Sequence, residues 1–311
     1  MKILVTGGAG FIGSFLCEEL LDKGYDVVCL DNFSTGKELN IKHLLQNPKF
    51  KLIKHDVTKP IELETNLIFH LASPASPVDY QKLPIETSMA NSLGTFNMLN
   101  LAKKNKSRFL LASTSEVYGE PSVHPQRENY WGNVNPIGIR SCYDVSKRFA
   151  ENLTMNFFRK YGLDVRIARI FNTFGPRMRM DDGRAIPNFI IQSLTGKSIT
   201  VYGDGKQTRS FCYVPDMVDG LMKLMLKDNL SGEVVNLGNP EERTVLSVAE
   251  LIKDMTKSNS EIIFEPLPKD DPTRRKPDIT KAKRFLDWKP ETDFINGLKK
   301  NIKWFKGELK E

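Results

Sequence analysis

Tyr143 and Lys147 stand four residues apart in the string Tyr143-Asp144-Val145-Ser146-Lys147. On a helix, positions i and i+4 share one face, so the phenol and the ammonium can act together. A cation beside a phenol favours phenolate and lowers its pKa, which suits a tyrosine to general-base work near neutral pH. A second pair with this spacing, Tyr202 and Lys206, encloses Gly203 and Gly205, which argue against a helix there. Only the first pair is therefore kept. Upstream, Ser113-Thr114-Ser115-Glu116 follow an apolar run, and the Thr114 hydroxyl could hold a substrate oxygen beside Tyr143. Glu116 fits either a polar catalytic group or a helix-capping carboxylate; spacing does not choose between them.

A second kind of chemistry resides near the N-terminus. Gly7-Gly8-Ala9-Gly10-Phe11-Ile12-Gly13 follows one predicted strand and opens a predicted helix. In that context glycines allow a tight turn and close approach to a pyrophosphate, while the helix start offers N–H groups and a positive dipole end. Gly13 lets the helix lie close to the strand. Asp31 ends the next predicted strand, 18 residues after Gly13. A carboxylate there accepts hydrogen bonds from both ribose hydroxyls of NAD and repels the extra phosphate of NADP. Lys37 nearby keeps NADP open.

Positioning these groups takes an alternating chain. The pattern predicts strands at 2–6, 26–30, 51–53, 66–71, 108–112 and 165–170, with helices at 11–23, 84–104 and 142–160. This predicts an α/β fold: a Rossmann-type, doubly wound parallel sheet with helices on both faces. After 170 the regular alternation is expected to stop. Short strands at 198–202, 234–237 and 261–264 and helices at 245–255 and 294–306 remain. They suggest a smaller C-terminal α/β substrate-binding domain. The expected division is 1–171 for the nucleotide and 172–311 mainly for substrate, with the chain free to cross back to the sheet.

The chain has 311 residues, 40% hydrophobic and 27% charged, an ordinary composition for a folded protein. No apolar run nears the roughly 20 residues of a membrane span, and no signal peptide is expected, so a soluble cytoplasmic protein is anticipated. Cys17, Cys29, Cys142 and Cys212 are scattered, and His43, His55, His70 and His124 form no ligand pattern. No metal is expected. Net charge is +7, but no aromatic or zinc-finger motif accompanies the basic residues, so nucleic acid is not an expected partner.

Residues 7–13, Thr114 with Tyr143 and Lys147, and 172–176 (NTFGP) resemble the extended short-chain dehydrogenase/reductase family acting on nucleotide sugars. The likeness runs nearly end to end. More narrowly, longer strings are similar to the members that decarboxylate UDP-glucuronate: 70–77 (HLASPASP), 111–119 (LASTSEVYG), 130–138 (YWGNVNPIG), 168–179, 201–213, 236–242 and 270–278. Dehydratases of the family carry Thr-Asp-Glu where this chain has Thr114-Ser115-Glu116. Serine cannot replace that aspartic acid as an acid, which disfavours elimination of water.

The resemblance implies UDP-glucuronate as substrate and NAD as cofactor. Tyr143 takes the C4 hydroxyl proton, Lys147 holds the ribose, and NAD removes and later returns the C4 hydride. The intermediate 4-keto acid loses CO₂, giving UDP-xylose. Thr114, Glu116 and Arg275 complete the implied catalytic set, with Arg275 as a planar clamp. Cofactor contacts are implied for Gly7, Gly10, Phe11, Ile12, Gly13, Asp31 and Asn32, for Asp56, Val57, Leu71 and Ala72, and for Tyr143 and Lys147. Substrate contacts are implied for Tyr80, Asn172, Tyr202, Gln207, Arg209 and Arg275, with loops at 74–80 and 177–184 around the sugar and diphosphate. A homodimer through helices 84–104 and 142–160 is also implied. The rival readings are an epimerase or 4,6-dehydratase on the same scaffold, an oxidative decarboxylase releasing a 4-keto pentose, and a non-catalytic NAD-binding sensor.

Overall fold

The computed structural model describes residues 1–310. β1 (Lys2–Thr6) sends Ile3 and Val5 to one face and Leu4 to the other, all fully buried. A strand covered on both faces reads as continuous apolar sequence, as here. It leads into α1 (Phe11–Asp22), β2 (Asp26–Asp31), β3 (Phe50–Lys54) and β4 (Leu67–His70). Next come α2 (Pro77–Lys82), α3 (Pro84–Met89), α4 (Thr95–Asn105), β5 (Arg108–Thr114), α5 (Ser141–Tyr161) and β6 (Val165–Ile170). Gly24 and Gly162, at φ +83° and +64°, follow α1 and α5 in the left-handed conformation that commonly closes helices.

The remainder runs β7 (Thr173–Phe174), α6 (Ala185–Leu194), β8 (Ile199–Tyr202), β9 (Thr208–Ser210), β10 (Cys212–Tyr213) and α7 (Val214–Leu226). It continues through β11 (Glu233–Leu237), β12 (Glu242–Thr244), α8 (Val245–Thr256), β13 (Ile262–Glu265), β14 (Arg274–Arg275), α9 (Thr280–Leu286) and α10 (Phe294–Glu308).

Seven parallel strands form the sheet in the order β11-β6-β5-β4-β1-β2-β3. The winding reverses between β1 and β4, and the carboxyl ends of strands at such a point open a crevice for ligands. One apolar core packs α1, α7 and α9 on one face; a second packs α4 and α5 on the other. A third joins α6, β8, α8 and α10 through Phe189, Val201, Ile252 and Phe294. Residues beyond 171 thus divide between the sheet and the separate C-terminal core.

Three expectations change. The alternation does not stop after 170: α7, started by Pro215 and carrying the apolar stripe Met217, Leu221 and Met225, links β6 to β11 at the sheet edge. Residues 74–80 are not all loop, because Ser76 Oγ accepts the Asp79 N–H at 3.1 Å and caps α2. The helix expected at 84–104 is interrupted by a π-helical turn, Ala90–Gly94, between α3 and α4.

Candidate active site

One cavity of about 780 Å³ runs from the carboxyl ends of the sheet strands to the C-terminal core. Its nucleotide-sized end follows from the glycine turn. Gly7 adopts φ +70°, and a Cβ there would lie 2.9 Å from the Ala72 backbone nitrogen. A Cβ on Gly13 would meet the Gly7 carbonyl at 2.1 Å, so glycine sets how closely α1 approaches β1. No side chain caps α1, and Gly10, Phe11, Ile12 and Gly13 line the cavity at that helix start. This end therefore has the open N–H groups and the space that a pyrophosphate requires.

Asp31 lies in the same wall. Its Oδ2 accepts from Ala9 N at 3.0 Å and its Oδ1 from Phe33 N at 2.8 Å. Burial raises its pKa, partly countered by those two N–H groups. Each oxygen keeps a lone pair for a ribose hydroxyl. Asn32, Asp56 and Val57 line one side of this end, and Leu71 and Ala72 the other. Asn32 Nδ2 donates to Asp56 Oδ2 at 3.1 Å. Lys37 lies outside the wall, and its backbone N–H donates to Ala9 O. The residues expected to hold NAD thus meet around one space that suits it.

Deeper in, α5 presents Tyr143 and Lys147 on its buried face. Lys147 Nζ donates to Ala112 O at 2.9 Å and lies 5.8 Å from the Tyr143 ring centroid. Burial lowers the Lys147 pKa to about 8. Burial pushes Tyr143 up to about 12, against a downward pull from the Thr114 hydroxyl, while the Glu116 charge raises it further. The expected lowering of the phenol by Lys147 is therefore not produced by the protein alone. Desolvation dominates the phenol, and the ammonium is engaged by the Ala112 carbonyl.

Thr114 ends β5 and caps the short 3₁₀ turn Ser115–Tyr118 by accepting the Glu116 N–H at 3.2 Å. The Glu116 carboxylate caps nothing. Its Oε2 accepts from Arg140 Nη2 at 2.7 Å and from Arg275 Nη2 at 3.2 Å. Burial alone would raise its pKa, but Arg275, Arg140 and Arg209 together hold it down at about 2. The ambiguity over Glu116 thus resolves toward a fixed anion. The parallel pairing of β14 with β9 puts Arg275 opposite Arg209, which concentrates positive charge here.

The sequence profile of the GDP-mannose 4,6 dehydratase family matches residues 4–301. UDP-glucuronic acid decarboxylase 1 of Danio rerio is 54% identical over 308 residues, covering 99% of this chain and 73% of that protein. The Arabidopsis thaliana protein of the same name is 53% identical, covering 99% and 71%. The chain belongs to the family of the UDP-glucuronic acid decarboxylases. Among solved structures, the UDP-glucuronic acid 4-epimerase of Bacillus cereus, in complex with UDP-glucuronic acid and NAD, superposes with a TM-score of 0.91 at 31% identity. That match covers 99% of this chain and all of the epimerase.

Within this decarboxylase-family site, Tyr80, Asn172, Tyr202, Gln207 and Arg209 line the part of the cavity away from the glycine turn. Arg275 does not line it; it is 1% exposed and reaches the site only through Glu116. Arg140, which the sequence does not single out, also reaches the wall. Arg140 sits at the N-cap of α5, three residues before Tyr143. The available signal is that helical offset, since a group three residues before Tyr143 shares its face. Asp144 gives no such signal in the sequence. It is buried, and burial together with the Glu116 charge pushes its carboxyl up to about 8.

Proposed function

We propose that this protein removes CO₂ from UDP-glucuronate with the help of bound NAD and releases UDP-xylose. The observation that carries the reading is the state of residues 115 and 116. Ser115 offers no acid, and Glu116 is held as an anion between two arginines. Neither can protonate a departing hydroxyl, so dehydration lacks its acid. Decarboxylation needs none, because a carboxylate β to a ketone loses CO₂ with its electrons flowing into the carbonyl.

Tyr143 and Lys147 act at C4 of the sugar. NAD, when bound along Gly7–Gly13 and Asp31, supplies hydride acceptance and return at C4 together with the positive charge of the oxidised nicotinamide. Tyr143, neutral at pH 7 in the protein alone, ionises when further positive charge is brought beside it. It then takes the C4 hydroxyl proton. The Thr114 and Tyr143 hydroxyls steady the enolate oxygen that forms as CO₂ leaves; the enolate then takes a proton at C5, and Tyr143 returns its proton to the C4 oxygen when the hydride comes back. An epimerase shares the first step but would keep the carboxylate.

Residues 172–311 contribute most of the UDP-sugar wall in this reading. A homodimer forms through α3, α4 and α5, whose outer faces expose Ile85, Met89, Phe96, Val145 and Phe149. Among the described residues no helix is long and apolar enough to cross a membrane. Four free thiols fit a reducing compartment, and we assign the protein to the cytoplasm.

The deciding experiment incubates the enzyme with UDP-glucuronate and catalytic NAD⁺ and follows CO₂ and the sugar by NMR. CO₂ with UDP-xylose and no net NADH is the expected result. CO₂ with a 4-keto pentose and stoichiometric NADH makes the enzyme an oxidative decarboxylase. No CO₂ from NAD-loaded protein overturns the reading.

A further inference from the structure

A uronate differs from a neutral hexose in one carboxylate, so a site selective for it needs a cation near C4 and C5. Of the two arginines that grip Glu116, only Arg140 lines the cavity. Its position relative to Tyr143 is set through Tyr80. The Arg140 guanidinium carbon lies 5.9 Å from the Tyr80 ring centroid. Tyr80 in turn stacks on Tyr143, with centroids 5.1 Å apart.

The outer nitrogen of Arg140 already carries a carboxylate. Its Nη1 donates to Asp271 Oδ1 at 3.1 Å, while Asp271 Oδ2 accepts from Arg209 Nη2 at 2.8 Å. Asp271 belongs to the segment between β13 and β14, which lines the same cavity through Pro268, Lys269 and Pro272. Two cavity-facing arginines are thus bridged by one of the chain's own carboxylates. The local charge also leaves room for an anion. Arg140, Arg209 and Arg275 face Glu116 and Asp271. Asp144 adds little negative charge at pH 7, because burial keeps it largely protonated.

We propose that Arg140 is the residue that recognises the sugar carboxylate, and that Asp271 is the internal carboxylate it exchanges for that ligand. The proposal rests on the decarboxylase reading and deepens it: Arg140 sets the preference for a uronate, and Arg275 serves Glu116. Guanidinium suits this task, as it presents parallel N–H donors to a carboxylate and leaves others to hold Glu116.

The test compares two ligands that differ only in the carboxylate. UDP-glucuronate and UDP-xylose are titrated calorimetrically into NAD-loaded enzyme carrying Tyr143→Phe, so that nothing turns over. Adding Arg140→Gln is expected to weaken UDP-glucuronate binding by about 10- to 100-fold, the value of a charge-assisted hydrogen bond. UDP-xylose binding should change less than about twofold, and Arg140→Lys should restore part of the loss. Equal weakening of both ligands, or unchanged UDP-glucuronate binding, overturns the proposal. Should Arg140→Gln fail to fold, Asp271→Asn reads the same exchange. Selectivity for UDP-glucuronate over UDP-xylose then rises, and unchanged or reduced selectivity overturns the proposal. A wild-type enzyme that releases no CO₂ but shows Arg140-dependent selectivity would defeat the decarboxylase reading alone. CO₂ release without that selectivity would defeat the Arg140 assignment alone.

Discussion

The Tyr80 ring lies parallel to the Tyr143 ring, 6° between planes and 5.1 Å between centroids. Tyr80 comes from α2 and Tyr143 from α5, so the stack joins two elements at the reacting end of the cavity. Tyr80→Ala should lower kcat at least tenfold, because Tyr143 loses its packing partner, and should destabilise the protein by about 3–5 kcal/mol, as large aromatic truncations in cores do. Tyr80→Phe keeps the stack and should hold kcat within about twofold. Equal damage from both variants would mean that the hydroxyl, not the stack, is what matters. Steady-state kinetics and thermal melts on the pair separate the two.

Tyr143→Phe removes the phenol proton carrier and leaves the ring. Decarboxylation should fall by on the order of 10³, within the range of general-base contributions. NAD affinity, measured by fluorescence titration, should move little, since the glycine turn and Asp31 are untouched. Normal turnover would remove Tyr143 from the mechanism.

Glu116 links charge to stability with a definite sign. Its folded pKa of about 2 lies below the ordinary value of 4.5. Its ion pairs therefore stabilise the fold fully above about pH 4.5, and that stabilisation is lost as pH falls toward 2. Glu116→Gln should flatten the stability–pH curve across that window and reduce stability at pH 7, where Arg140 and Arg275 would be left facing a neutral amide. Denaturant titrations at several pH values measure both effects. An unchanged acid limb would exclude Glu116 as its source.

Gly13→Ala tests the closeness of α1 and β1. The added methyl would sit 2.1 Å from the Gly7 carbonyl, a backbone atom that cannot swing aside. Overpacking of this kind typically costs about 1–3 kcal/mol, and the shifted helix start should weaken NAD binding by more than tenfold. Intact NAD affinity would show that the helix tolerates displacement without loss of its phosphate site.

Much of this architecture is legible in the sequence, for local reasons. β1, β6 and α5 declare themselves through buried apolar runs and helical periodicity. The glycine turn and Asp31 are tied to their strand by short chain distances. The misses arise where tertiary context decides. α7 begins with Val-Pro-Asp, which reads as a break, although proline is well placed in a first helical turn. Arg140 and Arg275 are equally plausible as clamps in one dimension. Only the pairing of β14 with β9 shows that Arg275 is enclosed while Arg140 reaches the cavity. Tyr143's raised pKa is equally hidden, because spacing reveals the neighbouring lysine but not the burial that raises the phenol.

The outer face of α5 offers a final test. Tyr143 and Lys147 occupy its buried face, while Val145 and Phe149 emerge on the other beside exposed Ile85, Met89 and Phe96. A cluster of that size suits a partner surface better than water. If two copies meet there about a twofold axis, each substitution counts twice. Phe149→Glu should then convert a dimer to monomer in sedimentation equilibrium. It should also lower the melting temperature, because the helix carrying Tyr143 and Lys147 loses cover on one side. A variant that sediments and melts like wild type would place the dimer contact elsewhere or remove it altogether.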